Sequence, residues 1–484
     1  MALSALTTDF YELTMMYGYY KNNINPRVVF DMFYRTNPFN GGYVVFAGLD
    51  DLLKNIETFT FSEGDIEYLR MLGKFDEDFL SYLESFRFSG DLYAMEEGSI
   101  VFPNEPLIRI EGTLIETQLI EGMLLNTINF QSLIATKASR MVHAAKGSPI
   151  LEFGLRRAQG GDGALSASRA SFIGGCVATS NTLAGKVFDI PASGTMAHSW
   201  IMSIGDELEA FRIFADLYPD NAVLLIDTFD TLGSGIEHAI TVGRELKQKG
   251  KRLSVRIDSG DLSYLSREIR KRLDAAGLTD AKIVVSNDLT EEIIETFVSE
   301  DVPIDIYGIG THLVTGGAQS SLNGVYKLAA TCDTGGNITP VMKLSNSFEK
   351  ATNPGRKQVY RFFDEEGLTL GDLITLEHET ISEGEDIMFH HPVTDADYFM
   401  LRGKKYHTIR PLLTLTMKEG KRMKEPASLK AIQERVSQNL ETFHSSYLRM
   451  INPHIYKVSL SKELKDLKTS LVLQAKTRQQ ELER

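Results

Sequence analysis

The chain has 484 residues, 43% hydrophobic and 24% charged, with a formal net charge of −14 at pH 7. That is room for two or three domains with an ample core, and the acidic balance argues against a protein that sheathes nucleic acid. The two cysteines, Cys176 and Cys332, stand far apart without ligand spacing, which excludes a disulfide framework or a cysteine-built zinc site and fits a reducing cytoplasm.

No basic region followed by an apolar run opens the sequence, so no signal peptide is expected. Nor is a membrane span expected, since no run of about 18 apolar residues occurs. Thr8 is a candidate N-cap for a helix on which Leu13, Met16, Tyr17 and Tyr20 recur at helical spacing. Asp9 and Tyr11 at its start either pack or meet an anion there. Residues 28–34 read as a strand, 37–42 as a turn and 43–47 as the return strand. Helices over 49–56 and 63–72 follow, then strands near 90–94 and 107–110, which together make an α+β region. A helix over 116–143 leads out of it.

From Gly147 onward, short apolar runs end in polar or glycine residues and alternate with helical stretches. The run ends are 149–154, 171–175, the loop around His198, 222–227, 253–258, 282–286 and 304–308. Their spacing, roughly 20 to 35 residues, is that of a βα unit in a (β/α) barrel. Ile236, Ile240 and Leu246 share one helix face before Gly250, and Leu262, Leu265, Ile269 and Leu273 share another before Gly277. A doubly wound open sheet is the competing architecture, but no G-x-G-x-x-G follows the first strand. The domains expected are 1–145, an α+β domain; 146–330, the barrel; and 331–484, a segment partly packed on the first. Within the last, 345–356 reads as a polar surface loop, 360–363 and the stretch through 374 as strands, and 410–413 as a short strand. Residues 428–449 read as a helix, and 460–484 as an exposed charged helix with no site implied. No solenoid repeat or low-complexity segment appears.

The strand ends carry the chemistry-bearing residues, as a barrel mouth does. In the stretch 190–200, Ser193, Gly194, Thr195, Ala197 and Ser199 surround His198 with side chains too small to cover it. Such a histidine can accept a phosphoryl group, move a proton, bind a metal or simply cap a helix. Residues 152–163 join Phe153, suited to stacking on a planar ring, to Arg156, Arg157 and a glycine-rich loop. Arg256 and Asp258, two apart on a strand, face the same way and could hold a phosphorylated sugar or form a plain salt bridge. Ser286-Asn287-Asp288 and Gly308-Ile309-Gly310-Thr311 end the last two strands, where barrels grip phosphate with backbone N–H groups. Asp227 and Asp230 follow the strand after His198. A carboxylate there would fix the imidazole tautomer, or cap a helix.

These pieces, in this order, resemble the nicotinate phosphoribosyltransferases. The matching segments are Thr8-Asp9-Phe10-Tyr11, 152–160, Thr179-Ser180-Asn181, 194–199, 256–261 and 308–311. The resemblance implies an α/β fold: the irregular (β/α) barrel of the type II phosphoribosyltransferases, with an α+β domain built from the N-terminal and C-terminal segments. It implies transfer from phosphoribosyl pyrophosphate to nicotinate, coupled to ATP hydrolysis through a phosphohistidine, in a cytoplasmic homodimer that uses Mg2+. By the same resemblance Phe153 stacks on one face of the pyridine ring and Tyr11 of the partner subunit on the other. Arg156 and Arg256 lie near the substrate anions, and Thr195 lines the base pocket. Asp258 binds ribose, and Ser286, Asn287, Gly310 and Thr311 cradle the 5′-phosphate. His198 is the phosphorylated histidine and Asp227 its orienter. Asn181 stands where the nicotinamide-using relative has an aspartate, which favours the acid over the amide. No metal ligand set built from the chain is expected. The alternatives are a quinolinate-using relative, which needs neither ATP nor His198, and a metabolite sensor that binds without turnover.

Overall fold

The computed structural model describes residues 4–333, 335–343, 352–394 and 397–482. The chain divides into two compact units, Ile134–Ser320 and a second that joins the sequence before it to the sequence after it. None of the described helices is long and apolar enough to cross a membrane.

The Ile134–Ser320 unit is built on six parallel strands: β1 (Ile150–Glu152), β2 (Ala178–Thr179), β3 (Ala222–Leu225), β4 (Leu253–Ile257), β5 (Lys282–Asn287) and β6 (Ile306–Ile309). They pair in the order β2-β1-β6-β5-β4-β3. The result is a curled half-barrel, with helices such as Ile236–Gln248 and Leu262–Ala275 returning the chain between strands. Along β4, Leu253, Val255 and Ile257 are buried while Ser254 and Arg256 are half-buried. That alternation puts Arg256 on the opposite face from the valine and isoleucine beside it.

The stretch 171–175 is not a strand. It is the end of the helix Gly160–Ile173, with Phe172 and Ile173 buried. A short apolar run reads alike as strand or buried helix. Here close packing decides, because a Cβ on Gly174 would collide with the Ala135 carbonyl. The expected helix over 116–143 is two helices, Leu114–Leu119 and Glu121–Ala144, separated at Ile120.

The other unit holds two sheets. In the first, Arg27–Tyr34 pairs antiparallel with both Ile108–Thr113 and Gly324–Cys332, so early and late sequence share one sheet. Thr414–Lys418 joins it beside Asp91–Ala94. The second sheet runs Tyr398–Leu401, Ile387–His390, Val458–Leu460, Thr369–Leu376, Lys357–Phe363, Thr408–Pro411. The α+β region is thus assembled from both ends of the chain. The strand Gly324–Cys332 was not among the expected elements, nor was the helix Glu77–Glu84. The tail helix Lys462–Leu482 is not the exposed one expected: Leu464, Lys465, Lys468 and Val472 are buried. Its buried lysines end on oxygens, Lys465 on the His391 carbonyl at 3.2 Å and Lys468 on Asn353 Oδ1 at 2.9 Å, so a charged composition does not mean a solvated face. Of the expected polar loop, 345–351 lies outside the described residues.

Candidate active site

At the C-terminal end of β4, Arg256 gathers side chains from several strand ends. Its Nε donates to Ser286 Oγ at 2.8 Å, and its Nη1 to Thr195 Oγ1 at 2.9 Å and to the Met196 carbonyl at 3.4 Å. Its Nη2 stands 3.4 Å from Asp258 Oδ1, which also accepts from Ser286 Oγ at 2.6 Å. The guanidinium carbon lies 5.7 Å from the centre of the Phe153 ring, within reach of a cation–π contact. Five predicted site residues, Phe153, Thr195, Arg256, Asp258 and Ser286, therefore meet in one cluster.

The place of the Phe153 ring is set by its neighbours. Its backbone N–H donates to the Ile309 carbonyl at 2.7 Å. A Cβ on Gly308 would lie 2.6 Å from the ring, so only glycine leaves the ring where it is. The preceding Glu152 is buried and ties three segments together. It accepts from the Gly154 N–H, from Ser168 Oγ at 2.9 Å and from Thr179 Oγ1. These donors compensate a carboxylate that burial would otherwise penalise. Asn181 is buried beside them. Its Oδ1 caps the helix Thr182–Phe188 at the Ala184 N–H, 3.3 Å away, and its Nδ2 donates to Ser168 Oγ at 3.3 Å. Arg156 is exposed in the loop after β1.

At the ends of β5 and β6 the backbone is unusual. Asn287 has φ +151°, a region that side chains rarely adopt and that marks strained sites. Gly310 precedes the short helix Thr311–Val314, and its carbonyl accepts from Leu313 and Val314. A Cβ there would press on the Phe153 carbonyl at 3.1 Å.

His198 opens the helix His198–Ile204, half-buried. Its Nδ1 lies 3.1 Å from Thr228 Oγ1. The expected partner, Asp227, is engaged elsewhere. Its Oδ2 accepts from the Asp258 N–H at 2.8 Å and from Ser259 Oγ at 2.6 Å, while its Oδ1 is buried without a donor. Asp227 thus orders the Asp258 turn, and Thr228 stands at the imidazole instead. Asp230 caps the following turn at Gly233.

Tyr11 belongs to the other unit, where it is 49% exposed and its hydroxyl lies 3.4 Å from Glu12 Oε1. Burial, then Glu121, Glu12 and Asp9, push the Tyr11 phenol up to about 12. Glu12 is itself pushed up to about 7, chiefly by burial.

Profiles of known families cover most of the chain. The nicotinate phosphoribosyltransferase N-terminal domain matches residues 6–129, the family's central profile 149–366, and its C-terminal domain 356–468. The chain is 40% identical to the nicotinate phosphoribosyltransferase of Bacillus subtilis over 482 residues, 99% of this chain and 97% of that protein. The chain belongs to the nicotinate phosphoribosyltransferase family. The human family member is 32% identical over 97% of each chain. The crystal structure of human nicotinic acid phosphoribosyltransferase superimposes with a TM-score of 0.83 at 29% identity, covering 96% of this chain and 99% of that one. The fold is accordingly that of the type II phosphoribosyltransferases.

Sequence reasoning missed Thr228, Glu152 and Ser168, which hydrogen bonds tie to the predicted site residues. Thr228 was adjacent to a chosen aspartate, and Glu152 stood at the head of a chosen segment. Neither has a spacing signal of its own. Only the hydrogen bonds single them out.

Proposed function

We propose that this family member transfers the phosphoribosyl group of phosphoribosyl pyrophosphate to nicotinate, giving nicotinate mononucleotide and pyrophosphate in NAD salvage, with ATP hydrolysis coupled through phosphorylated His198. The observation that carries the proposal is the Arg256 cluster, where one cation lies against an aromatic ring, two hydroxyls and a carboxylate.

The pyridine nitrogen is already a nucleophile, so no general base is required. The chain's task is to place it against the anomeric carbon and to stabilise charge on the departing pyrophosphate. Phe153 offers one face for the ring, and Tyr11 of a partner subunit in a homodimer would offer the other. Arg256 and the exposed Arg156 supply positive charge for the carboxylate and phosphates. Asn181 keeps a second anion away from the carboxylate, and its committed amide gives it a fixed orientation. Asp258 accepts from a ribose hydroxyl. Ser286, Asn287, Gly310 and Thr311 receive the 5′-phosphate. As the C1′–O bond breaks, the sugar takes on oxocarbenium character.

Magnesium ion, when bound, supplies charge stabilisation to pyrophosphate oxygens. The buried, undonated Oδ1 of Asp227 fits such a group, since it can accept from water in the ion's shell. A cytoplasmic setting belongs to this reading, and two cysteines without ligand or pairing spacing fit a reducing compartment. The test is incubation with nicotinate, nicotinamide or quinolinate, each with phosphoribosyl pyrophosphate and Mg2+, with and without ATP. Nicotinate mononucleotide formed from nicotinate, and faster with ATP, is the expected result. Turnover of quinolinate alone, or binding without pyrophosphate release, would overturn it.

A further inference from the structure

The unit built from both ends of the chain holds a cavity of about 40 Å³ that the proposed reaction does not use. Its polar walls are Asp31, Asn104, Thr352, Asn353, Lys357 and Lys468. We propose that this cavity binds a small oxyanion that carries its own proton, hydrogen phosphate or bicarbonate. Lys468 and Thr352 donate to its oxygens, and Asp31 accepts from its hydroxyl. Such a site would stand whatever reaction the half-barrel performs.

Lys357 and Lys468 are both buried. Lys357 is spent, because its Nζ donates to Asp31 Oδ2 at 2.7 Å and to the Asn353 and Gly355 carbonyls at 2.8 and 2.5 Å. Lys468 donates to Asn353 Oδ1 at 2.9 Å, a neutral partner. Burial, then the Lys465 and Lys357 cations, push the Lys468 amine down to about 8. Three buried lysines thus stand against Asp31, the one carboxylate among the described lining residues. Surplus buried positive charge is costly, and an anion against Lys468 offsets it. Thr352 Oγ1 accepts from the Lys343 N–H at 3.1 Å, which leaves its own proton to donate. Asp31 Oδ1 is buried with no donor among the described residues. An anion without a proton would repel that oxygen, whereas one with a hydroxyl supplies the missing donor. The cavity has room for about three waters, and so for an anion of roughly four or five heavy atoms. Sulfate has that size but no proton at neutral pH.

The experiment follows the thermal unfolding midpoint of the full-length enzyme at neutral pH with phosphate, bicarbonate or sulfate at matched ionic strength, in the wild type and in Lys468→Met. For a dissociation constant of about 1 mM, about 10 mM of the right anion should raise the wild-type midpoint by roughly 1–2 °C more than that of the variant. Sulfate should give no such difference. The larger difference between phosphate and bicarbonate identifies the oxyanion. Anion held at the barrel mouth shifts both proteins alike and drops out. Asp31→Asn should bring sulfate level with the favoured anion, a change of preference that lost stability alone does not produce. If Lys468→Met does not fold, Thr352→Val takes its place and should lose most of the wild-type increment. Equal responses of wild type and variant to all three anions overturn the proposal, and so does a difference as large for sulfate.

Discussion

Two arginines show how differently the two units use buried charge. Arg361, in the antiparallel unit, is closed in on every side. It bonds Asp372 through Nε at 2.9 Å and Nη2 at 2.6 Å, Tyr456 donates to the same carboxylate at 2.9 Å, and the Phe102 and Phe443 rings lie 5.5 and 5.3 Å from the guanidinium. Arg256, on the strand ends of the half-barrel, is held by four polar atoms against the two carboxylate oxygens on Arg361, yet stays open to solvent at 14% of its side chain. Its carboxylate partner, Asp258, is 36% exposed. The first arrangement has no position left for a ligand and serves the fold. The second is pre-oriented but incomplete, which is what a site for an anionic substrate needs.

The contrast makes opposite demands on mutants. Asp372→Ala strands a buried guanidinium and should lower stability by about 3–5 kcal/mol in denaturant unfolding, while turnover per folded molecule stays near wild type. A loss below about 1 kcal/mol would erase the distinction. Arg256→Ala should do the reverse. It removes charge-assisted bonds worth about 3 kcal/mol, so kcat/KM for nicotinate should fall roughly a hundredfold with little change in the unfolding midpoint.

A third buried charge sharpens the comparison through pH. Glu12 is held at about 7 against an ordinary 4.5, chiefly by burial. Its folded value is the raised one, so its favourable contribution is whole below about 4.5 and is lost as pH rises through 7. Glu12→Gln should therefore flatten the fall in stability between those limits, which amounts to about 3 kcal/mol at most. Unfolding midpoints measured across the range check this, and an unchanged slope would count against it. The smallest effect is expected at Gly308, where alanine would push the Phe153 ring aside. The KM for nicotinate should rise about tenfold, equal to roughly 1.4 kcal/mol, with kcat less affected.

Five strands of the half-barrel were legible because each is a short apolar run ending in a polar or glycine residue, whereas the two-residue strand Ala178–Thr179 was not foreseen and the run expected to end at the His198 loop is no strand. The run 171–175 has the same look yet ends a helix, since composition alone does not separate the two. The strand Gly324–Cys332 was invisible because its partner, Arg27–Tyr34, lies some three hundred residues earlier and its own sequence, with Lys327 and two alanines, is a weak strand former. Arg256 and Asp258 were readable from a spacing of two on one strand. The partner of His198 was not. Asp227 and Thr228 both follow the end of β3 at Leu225, where strand alternation no longer says which side chain faces the histidine. The carboxylate was the chemically reasonable choice, but backbone and hydroxyl donors at Asp258 and Ser259 had already claimed it.

The central claim is that the Arg256 cluster is where base and sugar meet, and a structure with nicotinate mononucleotide bound tests it most directly. The account predicts the pyridine ring against Phe153 and Arg256, the ribose on Asp258, and the phosphate over Gly310 and Thr311. A nucleotide seated elsewhere, with Arg256 still bonded only to Thr195, Ser286 and their neighbours, would contradict it.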